Sequence, residues 1–242
     1  MTPSARPPGF WNATQEREAM ITTESPSVRQ LLRDRDALMF EAQEMERRKV
    51  NPYRPFHDVM RDGAWAGERC FIVGGGPSLR GFDFERLRGQ GRVIVINKAF
   101  LDVPFADVLF FMDYTSFYQR LYRGELGLET LQRWREFKGH KVFLNIMGYR
   151  VEDAYSIRSS DSVGLSNSLK HGIYHGNNSG VGALGLAIIL KANPIYLLGI
   201  DCKHAGGESH YHGGYGKLVS ESIIKSFARN FERLNRFIER TG

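Results

Sequence analysis

Three histidines cluster late in the chain. His204, His210 and His212 lie between Asp201 and a helix-forming stretch that begins at Ser220, in a segment punctuated by Gly206, Gly207, Gly213, Gly214 and Gly216. An unperturbed imidazole titrates at about pH 6.5, so it accepts a proton at neutral pH without special burial. A histidine on a glycine-rich loop is therefore suited to general-base work on a hydroxyl. The spacing His210-x-His212 is also compatible with a metal ion assisted by Asp201 or His204, and with a loop that only faces solvent. No flanking carboxylate motif favours the metal. General base is the preferred role, at His210 first and His212 second, with no metal ligand assigned.

Two further groups could hold an anion. Gly74-Gly75-Gly76-Pro77-Ser78 directly follows the apolar run Cys70-Phe71-Ile72-Val73, and a helix-compatible stretch comes next at 82–87. Glycine lets a backbone approach a ligand closely, and a helix N-terminus aims amides at negative charge. There is no Walker A lysine, and Pro77 and Leu79 break the dinucleotide spacing. The run is thus a plain turn or a phosphate or nucleotide contact. In the second case a valine at Gly76 is expected to abolish nucleotide binding while sparing the fold. Asn177-Asn178-Ser179-Gly180 precedes a small-residue helix at 179–190. Asn178 or Ser179 can cap that helix, or present amides and a hydroxyl to a ligand. Gly180, Gly182, Ala183, Gly185 and Ala187 suggest close packing against a sheet or a ligand.

The elements that must position these groups are apolar runs. Cys70-Phe71-Ile72-Val73, Arg92-Val93-Ile94-Val95-Ile96, Val108-Leu109-Phe110-Phe111 and Lys141-Val142-Phe143-Leu144 read as buried strands, and so does the run from Pro194 to Asp201. Continuous apolar strands alternating with helices predict an α/β fold, a doubly wound, mostly parallel Rossmann-like sheet. Ligands in such sheets bind beyond the carboxyl ends of the strands. Here those ends carry the glycine run, Asn97, Asp113, Asn145 and Asp201. A last helix is expected at 220–240. Residues 1–64 read as an N-terminal arm with a helix at 28–48, and 65–242 as the nucleotide-binding domain. That early helix could pack on its own domain, dock a partner or form a homo-oligomer contact. A final strand would be expected beyond Gly242, so the sequence reads as a fragment of a longer chain.

Composition narrows the function classes. The chain has 242 residues, 42% hydrophobic and 25% charged, which excludes wholesale disorder. Cys70 and Cys202 are too far apart for a CxxC motif, and both lie in strand-like segments, so they read as buried residues of a reducing, cytoplasmic protein. No apolar run approaches the roughly 20 residues of a membrane span. The net charge of +6 is spread along the chain. It suits an anionic small-molecule substrate and does not call for nucleic acid.

In order, Phe71-Ile72-Val73-Gly74-Gly75-Gly76-Pro77-Ser78-Leu79, Ile96-Asn97, Asn178-Ser179-Gly180-Val181, Tyr196-Leu197-Leu198-Gly199-Ile200-Asp201 and Ser209-His210-Tyr211 resemble a known superfamily. They look like the bacterial CMP-sialic-acid-dependent sialyltransferases of single-Rossmann-domain type. They look equally like a group found in phage and prophage genomes and the archaeal hydroxymethylpterin-diphosphokinase-like domains. The resemblance covers about residues 69–240. It implies a nucleotide over the glycine turn with Asn97 and Ser179 near its phosphate, His210 as base on the acceptor hydroxyl, and Tyr211 or Tyr215 near the leaving phosphate. It implies a nucleotide-sugar donor, CMP-linked by preference, and no metal.

Two positions depart from the sialyltransferase pattern: Gly75 and Asp113 stand where that family usually carries asparagine. A carboxylate beside a phosphate is repulsive unless it binds a cation or a sugar hydroxyl. Asp113 therefore leaves room for a diphosphokinase-like transferase that uses ATP and Mg²⁺ on a pterin or similar alcohol. A non-catalytic phage protein with a vestigial nucleotide fold is the third alternative. If His210 is the base, His210→Ala lowers kcat by about 10²–10⁴-fold in steady-state kinetics while nucleotide affinity changes little. Joint loss of nucleotide or metal binding in the His210 and His212 variants would instead make the pair a ligand cluster.

Overall fold

The computed structural model describes residues 54–149, 151–160, 168–202 and 220–241. The helix expected at 28–48 and the loop bearing His204, His210, Tyr211, His212 and Tyr215 lie outside the described residues. Six strands form one sheet: β1 (Cys70–Val73), β2 (Arg92–Ile96), β3 (Val108–Phe111), β4 (His140–Asn145), β5 (Tyr155–Arg158) and β6 (Ile195–Leu198). Their order is β5-β4-β3-β2-β1-β6, and every pairing is parallel. The fold is α/β and Rossmann-like, as the apolar runs require. The chain steps outward from β1 to β5, then crosses back to lay β6 beside β1, with Ile72 opposite Ile94 on one side and Leu197 on the other.

Alternate residues of each strand serve opposite layers. Ile72, Ile94, Phe110 and Val142 face one core, which they share with Ala183, Leu186 and Ala187 of a helix running Ser179–Ile189. Phe56 and Trp65 are buried in the same layer, and the amides of Gly63 and Trp65 donate to the carbonyls of Ile189 and Leu190. Residues 54–64, grouped by sequence with the arm, thus pack against the sheet. The other layer holds Val73, Val95, Phe111 and Phe143. A π-helical segment, Tyr114–Gln119, runs into α1 (Arg120–Tyr122), and α2 (Leu128–Glu136) follows. Trp134 of α2 is fully buried, edge-on to Phe100, Phe111, Phe117 and Tyr118. The helix Ser179–Ile189 is α3, and Glu221–Thr241 is α4.

Several expectations change. The stretch after the glycine run forms two 3₁₀ turns, Pro77–Leu79 and Phe84–Leu87, and no α-helix. Gly81 at φ +76° separates them, and Asp83 caps the second by accepting from the Glu85 amide. The anion-facing helix N-terminus expected behind Gly76 is therefore absent from this turn. Strand β6 ends at Leu198, because Gly199 turns to φ +63°. Cys70 is buried in β1 as expected, but Cys202 lies beyond β6, half-buried, at φ +47°.

The turns after β1 and β6 lock together. The amides of Gly74 and Gly76 each donate over 2.8 Å, to the carbonyls of Leu198 and Gly199. The Asp201 carboxylate accepts from the Ser78 amide at 2.7 Å and from the Ser78 hydroxyl at 2.5 Å. A Cβ on Gly76 would lie 2.6 Å from the Gly199 carbonyl oxygen and 2.7 Å from the Asp201 carboxyl carbon. The glycine is required by chain against chain, so the expectation that a larger residue spares the fold is corrected. Gly76→Ala should lower unfolding free energy by about 1–3 kcal/mol, the usual cost of overpacking. Urea denaturation checks this; an unchanged midpoint would mean that the two turns separate freely.

Candidate functional site

A cavity of about 290 Å³ opens where the strand order reverses, beyond the carboxyl ends of β1, β2, β3 and β6. This is the position at which open parallel sheets bind ligands. It gathers Gly74, Gly75, Gly76, Asn97, Asp113, Asn178, Ser179, Gly180 and Asp201, all singled out from sequence. Pro77 and Ser78 are not among the lining residues: Pro77 is buried in the 3₁₀ turn and Ser78 is committed to Asp201. Asn145 ends β4 but turns its amide to the Tyr149 carbonyl at 2.7 Å, away from the cavity. His210 and His212 lie outside the described residues.

Asp113 follows β3 and marks the polar side of the cavity. Its backbone carbonyl accepts the amides of both Phe117 and Tyr118, the wide turn that starts the π-helical segment. That turn brings Ser116 to the cavity, and single π-turns often occur at functional sites. Burial pushes the Asp113 carboxyl above the usual aspartate range, and hydrogen bonds from Asn97 and Ser179 offset part of the shift. The Asn97 amide nitrogen lies 3.3 Å from Asp113 Oδ2. Asn97 itself is held at φ +50°, and its Oδ1 is buried with no hydrogen-bond partner among the described residues.

The N-terminus of α3 forms a second wall. Asn178 caps it: Oδ1 accepts from the amides of Gly180 at 2.7 Å and Val181 at 3.3 Å. The cap thus uses two first-turn donors that an anion would otherwise take. Gly180 and Gly182 admit Phe231 of α4 and Phe110 of β3, to which a Cβ would come within 3.1 and 2.9 Å. Their smallness serves helix and sheet packing. The Asn230 side chain donates to the Gly176 carbonyl and ties α4 to the loop before α3.

The apolar part of the lining is Ile96, Met112, Ile200, Ile224 and Phe227. Ile224, Phe227 and Phe231 recur at helical spacing on α4, a periodic stripe that was available in the sequence but carried no chemistry to draw attention. Ser116 was not available, because its placement depends on the π-turn.

Among the described residues the cavity wall contains two carboxylates, Asp113 and Asp201, and neither lysine nor arginine. Each Asp201 oxygen accepts one hydrogen bond from Ser78, so Asp201 clasps the two turns while it also lines the cavity. Burial and the neighbouring Asp201 raise the Cys202 thiol, which keeps it protonated at neutral pH. Among the described residues no group of three or more His, Cys, Asp or Glu could hold a metal ion. No helix among the described residues is long and apolar enough to cross a membrane.

No protein-family model, curated protein or solved structure matches the chain.

Asp113 has a stability signature. Its folded pKa exceeds the unfolded value, so the native state binds extra proton between the two. Its contribution is full below the unfolded value and is lost as pH rises through the folded one. Asp113→Asn removes this loss. The variant should be more stable than wild type at pH 7, and the difference should narrow as the medium is acidified below the ordinary aspartate range. Urea titrations across that range test it, and a difference independent of pH would contradict a buried, titrating carboxyl.

Proposed function

We propose that the protein is a nucleotide-dependent transferase that moves a sugar from a nucleotide donor, CMP-linked by preference, to a hydroxyl acceptor. The supporting observation is the composition of the crevice at the β1/β6 reversal: its lining combines apolar Phe227 and Ile224 with polar Asn97, Asp113, Ser116 and Ser179. A planar base suits the first, and a hydroxylated ring suits the second. About 290 Å³ is at the small end of ligand-site volumes, enough for a nucleoside and open towards a larger group.

The chemistry needs a base for the acceptor. In sequence, His210 lies between Cys202 and α4, and Cys202, Ile224 and Phe227 all line the cavity. Both flanks of the histidine-bearing segment are therefore anchored at the proposed donor site. In the transfer step the acceptor hydroxyl loses its proton to His210, its oxygen bonds to the sugar carbon, and the nucleotide leaves as its phosphate. The sequence resemblance supports the same assignment.

A thermal-shift panel of CMP, UDP, GDP and ATP, with and without Mg²⁺, tests the proposal. A ligand at 100 times its Kd stabilises by about 2.7 kcal/mol, a readily measured shift. The expected result is stabilisation by CMP without Mg²⁺. Stabilisation by ATP only with Mg²⁺ would replace glycosyl transfer by diphosphate transfer. No shift with any nucleotide would remove the transferase assignment.

A further inference from the structure

We propose that Asp113 is the acceptor for the ribose diol of the donor nucleotide, so that the nucleoside enters sugar-first and its phosphate stays at the cavity mouth. The inference rests on the nucleotide assignment above and specifies how that site orients its ligand.

The first support is charge. Among the described residues, no cation lines the cavity to neutralise a phosphate beside the carboxylate. A phosphate there would meet like charge in a partly desolvated site, which is strongly unfavourable. A group that donates hydrogen bonds and carries no charge meets no such penalty. The second support is valence. An ionised carboxylate offers about four lone-pair sites. Asn97 and Ser179 use two of them. The remaining capacity suits two adjacent hydroxyls, the arrangement of a vicinal diol.

The third support is Asn97. Its Oδ1 is buried beside Asp113 without a hydrogen-bond partner among the described residues. A buried acceptor left unpaired is costly, and a ligand donor reaching it with a small side-chain adjustment would remove that cost. Anion donors lie elsewhere. The amides of Gly75 and Ser179, at the glycine turn and the start of α3, have no backbone partner among the described residues, whereas those of Gly74, Gly76, Gly180 and Val181 are engaged. Ser179 turns its hydroxyl to Asp113, so the Gly75 amide is the donor a phosphate at the mouth would meet.

Isothermal titration of the purified full chain with CMP, UMP, GMP and AMP, and with their 2′-deoxy counterparts, tests the orientation. The ribonucleotide that binds best should exceed its deoxy form by at least about tenfold, the effect of one hydrogen bond to a charged acceptor. In Asp113→Ala the ratio should fall to within about twofold. Asp113→Asn, which keeps the side-chain size and one acceptor oxygen, should fall between, and its unfolding midpoint checks that the fold is intact. Equal affinity of wild type for ribo and deoxy forms overturns the orientation and leaves the nucleotide assignment standing. A ribose preference that persists in both variants also overturns it, because the diol is then read by another group. Failure of all eight ligands to bind removes the nucleotide assignment and the orientation together.

Discussion

The clasp between the turns after β1 and β6 is the constraint on which the rest of the site depends. A parallel sheet whose order reverses leaves a gap at the reversal, because the helices on either side diverge. Here the two turns bounding that gap are held by backbone bonds from Gly74 and Gly76 to Leu198 and Gly199, and by Asp201 bound to Ser78. The bonds fix the width of the crevice floor. They also explain the residue types. A side chain on Gly74 or Gly76 would collide with backbone, and Gly199 must take φ +63° while Leu79 packs against it. What reads as a phosphate-binding run is first a device for bringing two strand ends into contact.

With the Gly74 and Gly76 amides and the α3 cap satisfied internally, the amides of Gly75 and Ser179 are what the glycine turn and the start of α3 have left for an anion. Its described lining mixes apolar side chains with hydroxyl, amide and carboxyl groups. Burial raises the pKa of the Asp113 carboxyl, and hydrogen bonds from Asn97 and Ser179 offset part of that shift. This balance distinguishes it from a phosphate cradle built from successive amides and a lysine. Selectivity in a wall of this kind comes from matching donors to acceptors, since an unpaired buried polar group costs more than a good pair gains.

Much of this was legible in the sequence, for a specific reason. Val93, Ile94, Val95 and Leu109, Phe110, Phe111 are apolar on both faces, which only a strand covered on both sides requires. Parallel strands then all end on one side, so their terminal polar residues must converge. Asn97, Asp113 and Asp201 were found by that rule alone. It failed at Asn145, because β4 lies three strands from β1 at the reversal and its amide serves a local turn. Roles were harder than positions. Asp201 was legible as a strand-end carboxylate, but nothing in sequence distance links it to Ser78. β5 was missed because it is a four-residue edge strand, and α2 because most of its residues face solvent, leaving Trp134 as its main anchor.

The position of α4 completes the site in a way that no strand-end rule anticipates. Its apolar stripe does two things at once: Phe231 fills the space left by Gly180, and Phe227 and Ile224 close the crevice one and two turns earlier. The same packing that holds α4 on α3 therefore sets the distance between the apolar wall and Asp113. Asn230, bound to the Gly176 carbonyl, fixes the helix along its axis. A shift of α4 by one residue would rotate Phe227 by about 100° out of the crevice. The glycines of α3 are thus as much part of the site as the residues that line it: a bulkier residue at Gly180 would move the helix that carries the wall, and with it the fit for any planar ligand facing the carboxyl.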